Sequence, residues 1–321
     1  MPNDMVPAHR RAPLAVPELP PVDVVAACLA GRNLRTFRAY AKDLADFARA
    51  VGQPNANAAV ELLLSLPHGQ ANALALGYRA QMSDRKPKLS SATIARRLSA
   101  LRSVVKLART LGRITWALDV ESPKVATYRD TTGPGQAGWR EMLSDARFEA
   151  EKSAKGRRDL AIIRMLHDLA LRRGELVALD LADVNLEEET IAVIGKGQTD
   201  AQRMTLPPQT LDALTDWITA RGVWDGPLFV RLDRAAKKPT RLTDTAVYLI
   251  VRDLGQRIGL KRPTRPHGLR HQAITRALEV TGGDVPAAMK FSRYADPRML
   301  MIYDDRRKDV AGDIALLVAA E

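Results

Sequence analysis

Apolar residues recur along most of this chain at intervals of three and four, the period of one face of an α-helix. Leu34, Phe37, Leu44, Phe47 and Val51 keep that spacing between Asn33, which can cap a helix, and Gly52, which can stop it. Shorter helical segments follow at 58–66 and 70–82. Ile94, Leu98, Leu101, Val105 and Leu107 then form another stripe with Ser91 as its cap. Four helices of this kind predict a compact bundle of about 100 residues. In front of it, residues 1–22 carry six prolines and predict a disordered arm.

The period lapses after Arg113, and residues 119–138, rich in Pro, Gly, Ser and Thr, read as a linker. Beyond it, 139–150 and 156–171 look helical. Residues 190–194 and 203–206 look like short strands on either side of Gly195-Lys196-Gly197, which predicts a hairpin. Helices return at 208–220, 243–258, 267–281, 285–292 and 297–303, and a last apolar segment spans 314–320. The predicted fold class is therefore mainly α, in four parts: the arm 1–22, a helical domain 23–118, the linker 119–138, and a mostly α domain 139–321 with a small antiparallel sheet.

Composition narrows the function. Hydrophobic residues at 46% and charged residues at 27% describe a soluble globular chain. A formal charge of +12 and a pI near 10.0 point to a polyanionic partner. One cysteine, Cys28, and five scattered histidines leave no framework for disulfides or a Cys-rich metal module, so no metal is expected. No apolar run reaches the roughly 18 residues of a spanning helix, and the expectation is a cytoplasmic protein without a membrane partner. Residues 1–130 hold 19 basic against 10 acidic side chains, so most of the excess lies in the first part. Within 85–116 there are nine cations and no carboxylate. Such a run suits a solvated face. The apolar stripe beside it favours a helix that packs on one side and tracks a phosphate backbone with the other, making Arg85, Lys86, Lys88, Arg96, Arg97, Arg102 and Lys106 candidate DNA contacts, Arg96 and Arg97 foremost.

Four places in the second domain offer groups suited to a phosphate. Arg172 precedes Glu175 by three residues, which lets the carboxylate orient the guanidinium, although a surface ion pair alone would look the same. Pro266 presets a helix start, and His267 and Arg270 fall roughly 60° apart on that helix, near N–H groups that favour an anion. Lys196 stands at the predicted hairpin tip, with no other lysine between Lys155 and Lys237. Tyr303 precedes Asp304-Asp305-Arg306-Arg307.

Arg172 with Glu175, then Lys196, then His267-x-x-Arg270, then Tyr303 resembles, in order and spacing, the tyrosine site-specific recombinases, the phage integrase family that includes Cre and Xer. The resemblance covers about residues 30–305. It implies a helical core-binding bundle and a catalytic domain forming a C-shaped clamp on double-stranded DNA. Tyr303 would attack a phosphate to give a 3′-phosphotyrosyl link. Arg172 and Arg270 would hold the nonbridging oxygens, Lys196 would protonate the departing 5′-oxygen, and His267 would assist the nucleophile. No cofactor is implied. A dimer on each site and a tetramer in the synapse are, with a Holliday junction between the two strand exchanges.

Three departures stand out. Tyr294 occupies the position, nine residues before the nucleophile, where the family usually has histidine or tryptophan. Its phenol could donate to the phosphate, and it is also a rival nucleophile. The hairpin tip is longer than usual. Ala170 replaces a common glycine, a change expected to be neutral. The terminal stripe Val310, Ile314, Leu317 and Val318 could dock on its own core or on a neighbouring protomer. A type IB topoisomerase, or a DNA-binding accessory protein of the same fold without activity, remains the alternative.

Overall fold

The computed structural model describes residues 22–124, 133–195, 198, 200–232, 240–294, 296–300 and 318–319. Contacts divide the chain into two compact units, Met1–Arg129 and Asp130–Glu321.

The first unit contains α1 (Val24–Leu29), α2 (Leu34–Ala50), α3 (Ala56–Ser65), α4 (His68–Asp84) and α5 (Ser91–Thr110). Asn33 caps α2 as expected, its side chain accepting from the Thr36 N–H at 2.9 Å. Leu44 and Phe47 from the α2 stripe are fully buried, but Leu34 and Phe37 in its first turn face outward. The cap of α5 is Ser90 rather than Ser91, through its hydroxyl and the Thr93 N–H. Ile94, Leu98, Leu101 and Val105 enter the core with Leu63 and Met82. Each such side chain contributes about 1.5–3 kcal/mol on burial. Leu107 is only partly buried, and Val104 and Ala108 fill the core beside it. The extra helix, α1, is six residues long and too short to show a period; Asp23 caps it through the Ala26 N–H.

The second unit contains α6 (Gly135–Lys152), α7 (Ala154–Asp168), α8 (Arg173–Ala178), β1 (Val184–Asn185), β2 (Thr190–Ile194), β3 (Ala201–Thr205), α9 (Pro208–Arg221), α10 (Asp244–Arg257), α11 (Pro266–Val280) and α12 (Val285–Ser292). Helix α7 is its axis: Ile162, Ile163, Met165 and Leu166 are wholly buried in one cluster with Trp217, Phe229 and Leu269. The expected hairpin is present and gains a third strand, giving the antiparallel order β1-β2-β3. Ile191 pairs with Met204 and Ala192 with Arg203, so Ile191 and Val193 point into the core. A small second cluster joins Ala170, Ala273, Ile274, Leu278, Ala288 and Leu300, with Tyr294 packed against it.

The segment 119–138, expected as a linker, is structured at both described ends. Val120 is buried and its carbonyl accepts from Arg102, while α6 already begins at Gly135. Residues 1–21, the last three residues of the segment expected at 297–303 and all but Val318 and Ala319 of the segment expected at 314–320 lie outside the described residues. Among the described residues no helix is long and apolar enough to cross a membrane.

Candidate active site

Helix α7 is capped by Leu169, and the chain reverses through Ala170, which adopts φ 45°. Alanine is disfavoured in this left-handed region, by about 1–2 kcal/mol, so the exchange for glycine is not neutral for the backbone. The turn leads to Arg172, the N-cap of α8, and places Glu175 in that helix's first turn. Glu175 reaches back: Oε2 accepts the Arg172 backbone N–H at 2.8 Å and Oε1 accepts Arg172 Nη1 at 2.5 Å. Burial pushes the Glu175 carboxyl up, but the N–H and guanidinium of Arg172 and the charge of Arg293 more than offset it and hold the pKa below the usual range. Glu175 is thus a carboxylate at neutral pH.

Pro266 opens α11, as expected, with His267 and Arg270 in its first turns. Arg270 is completely buried. Its two terminal nitrogens donate to the carbonyl oxygens of Ala170 and Ser292. No described carboxylate hydrogen-bonds it, and burial pulls its pKa down against the opposing influence of Tyr294. His267 retains substantial solvent exposure. The protein packed round its ring and the charges of Arg270 and Arg172 hold its pKa below the ordinary histidine value. It is therefore neutral at pH 7 and able to accept a proton.

The ring of Tyr294 lies 5.3 Å from the Arg172 guanidinium carbon and 4.9 Å from that of Arg270. Arg172, Glu175, Arg270 and Tyr294 are thereby brought together, with His267 near enough to feel the charges of both arginines. Arg172, with 27% of its side chain exposed, is more accessible than Arg270 beneath it. Lys196 and Tyr303 lie outside the described residues. Leu300, three residues before Tyr303, is buried in the same small cluster as Ala170.

Arg293 escaped the sequence reading. It follows α12 with φ 56° and ψ 37°, and its nearly buried guanidinium donates to Glu175 Oε2 at 2.8 Å. A lone cation at a helix end gives no periodic or motif signal.

The basic stretch of the first unit is organised differently from expectation. Arg97 is buried, its Nη1 contacting Asp46 Oδ2 at 2.5 Å and its Nε 3.7 Å from Asp43. It is not a surface contact for DNA, because two aspartates of α2 draw it inward. Arg96 keeps an exposed guanidinium 2.9 Å from Asp43. Arg85 donates to Asp46, as does the Tyr78 hydroxyl at 2.8 Å. Arg102 donates to the Val120 carbonyl and Ser122. Lys86, Lys88 and Lys106 are exposed. Burial pushes the Asp43 carboxyl up despite Arg96 and Arg97, whereas the Asp46 carboxyl, also raised by burial, is brought below its usual range by Arg85, Tyr78 and Arg97.

Comparison with known proteins adds to this geometry. Residues 144–309 match the phage integrase family. A tyrosine recombinase of Synechocystis sp., slr0733, is 39% identical over 294 residues, covering 90% of this chain and 91% of that protein. XerC of Pseudomonas aeruginosa is 32% identical over 219 residues, 67% of this chain and 68% of its own. Among solved structures, the Tn1549 transposon integrase in complex with transposon right end DNA superposes with a TM-score of 0.64 at 15% identity, covering 93% of this chain and 99% of that one. The XerH site-specific recombinase bound to a palindromic difH substrate gives 0.62 at 18% identity, with coverage of 88% and 80%. These two share the fold. With the family match extending over half the chain and a relative of such identity along nearly all of it, the protein belongs to the phage integrase family of tyrosine recombinases.

Proposed function

We propose that this chain is a site-specific DNA recombinase that cleaves and rejoins strands through Tyr303, without a cofactor. The observation that carries the reading is the convergence of Arg172 and Arg270 on the Tyr294 ring, with His267 within reach of both arginine charges and, among the described residues, Glu175 as the one carboxylate hydrogen-bonded to Arg172 or Arg270. A site so poor in negative charge suits an anion whose charge grows in the transition state.

In the proposed reaction the Tyr303 phenol oxygen bonds to phosphorus as the bond to the 5′-oxygen breaks. A free tyrosine is only about 0.1% ionised at pH 7. Neutral His267 takes the phenolic proton, and Lys196 supplies one to the departing 5′-oxygen. Arg172 meets the nonbridging oxygens and Arg270 adds its charge from below. The 5′-hydroxyl of a partner strand later reverses the step, through a Holliday junction in a tetramer assembled from dimers on each site. The C-terminal segment would dock on a neighbouring protomer. Residues 23–118 hold the duplex, with Lys86, Lys88, Lys106 and the exposed edge of Arg96 contacting phosphates.

Tyr294 supports a second assignment of the nucleophile, since its ring stands beside both arginines. A nicked suicide duplex carrying the target site separates the two. The wild type is expected to form a covalent adduct that Tyr294→Phe retains and Tyr303→Phe loses. The opposite pattern would assign Tyr294, and tight binding without any adduct would reduce the chain to a DNA-binding accessory protein.

A further inference from the structure

Arg293 has no part in the proposed reaction, yet its guanidinium is engaged on several sides close to Arg172. Besides Glu175 Oε2, its guanidinium donates to the carbonyls of Leu169 at 3.0 Å and Ala170 at 3.1 Å and contacts Met204 Sδ at 3.3 Å. Its own carbonyl accepts a long contact of 3.5 Å from Arg172 Nη2. Arg293 therefore reaches Arg172 by two routes, directly through its backbone and indirectly through Glu175. All this is built on a left-handed residue with a side chain, which persists only where the surroundings hold it.

We propose that Arg293 is a positioning residue that fixes Glu175 and, through it, the orientation in which Arg172 meets the scissile phosphate. The inference rests on the recombinase reading above. Arg172 Nη1 is held by Glu175 and Nη2 faces the Arg293 carbonyl, which leaves a second hydrogen on each nitrogen for an anion. The electrostatics agree. With Arg293 opposite it, the single carboxylate of Glu175 is shared between two guanidinium groups, so Arg172 retains charge for the phosphate. Without Arg293, Glu175 would be paired with Arg172 alone and would neutralise it.

The test is single-turnover adduct formation by the full-length protein on saturating nicked duplex, with binding measured separately. Arg293→Gly is the informative variant, because glycine accepts the left-handed turn while the guanidinium is lost. It should slow adduct formation about 30-fold and leave DNA affinity within about twofold. Arg293→Lys, which keeps the charge without the fork, should recover part of the rate and guards against misfolding of the glycine variant. In a Glu175→Gln background the same Arg293→Gly change should cost less than about threefold, since its route is already cut. Equal losses in both backgrounds, or no loss in the first, would overturn the proposal. Failure of the wild type itself to form an adduct would instead remove the recombinase reading on which it stands.

Discussion

The two units each bury arginine, and they surround it differently. In the first, Arg97 and its neighbours Arg85 and Arg96 meet two aspartates, Asp43 and Asp46, so most of the charge is offset by carboxylates within the bundle. In the second, the two terminal nitrogens of Arg270 donate to carbonyl oxygens, its buried Nε has no hydrogen-bond partner among the described residues, and Arg172 and Arg293 share Glu175. Carbonyls saturate hydrogen-bond donors without cancelling charge. The first arrangement is therefore cement, and the second keeps a positive potential for a ligand from outside.

If that contrast is right, Arg270→Ala should lower adduct formation by about 10³-fold or more while binding of target duplex persists. A variant that merely melted earlier and cleaved normally once folded would make the two clusters alike. Next in size, Asp46→Asn should destabilise the first unit by about 3 kcal/mol at neutral pH, read by urea denaturation, because Arg97 loses its close partner. The pH dependence separates the two aspartates. Asp46 has a depressed native pKa, so its contribution is complete above the unfolded value near 4 and is lost as pH falls through the native one. Asp43 has a raised native pKa and acts in the opposite sense, its ionisation costing stability as pH rises above about 4. Asp46→Asn should thus make the acid loss of stability shallower and Asp43→Asn steeper; parallel curves would contradict the assignment. The smallest effect concerns the surface. Lys106→Ala should reduce the slope of log affinity against log salt by about 1, whereas Arg97→Ala should act through folding stability.

Much of the architecture is legible in the sequence because periodicity reports which face of a helix packs. Leu44, Phe47, Leu98 and Leu101 declare themselves in this way, and the alternation in β2 does the same. Helix ends are less secure, as Ser90 and Ser91 show, because either serine could cap and only the backbone path chooses between them. Arg172, Glu175, His267 and Arg270 are recognisable from their order, and the structure brings Arg172, Glu175 and Arg270 together with His267 nearby. Arg97 was misread for a definite reason: a run of cations counts charge along one helix, and its neutralising aspartates sit half a domain away in sequence. Arg293 was invisible because its importance lies in a backbone turn and a carboxylate 118 residues earlier.

The carbonyl of Ala170 accepts from Arg270 and from Arg293, so one main-chain oxygen serves both guanidinium groups. A main-chain oxygen cannot be removed by substitution; it can only be turned aside. Evolution at position 170 is therefore constrained in dihedral angle more than in chemistry. Residues that tolerate the left-handed turn can exchange there, while a bulky branched side chain would disturb two arginines it never touches.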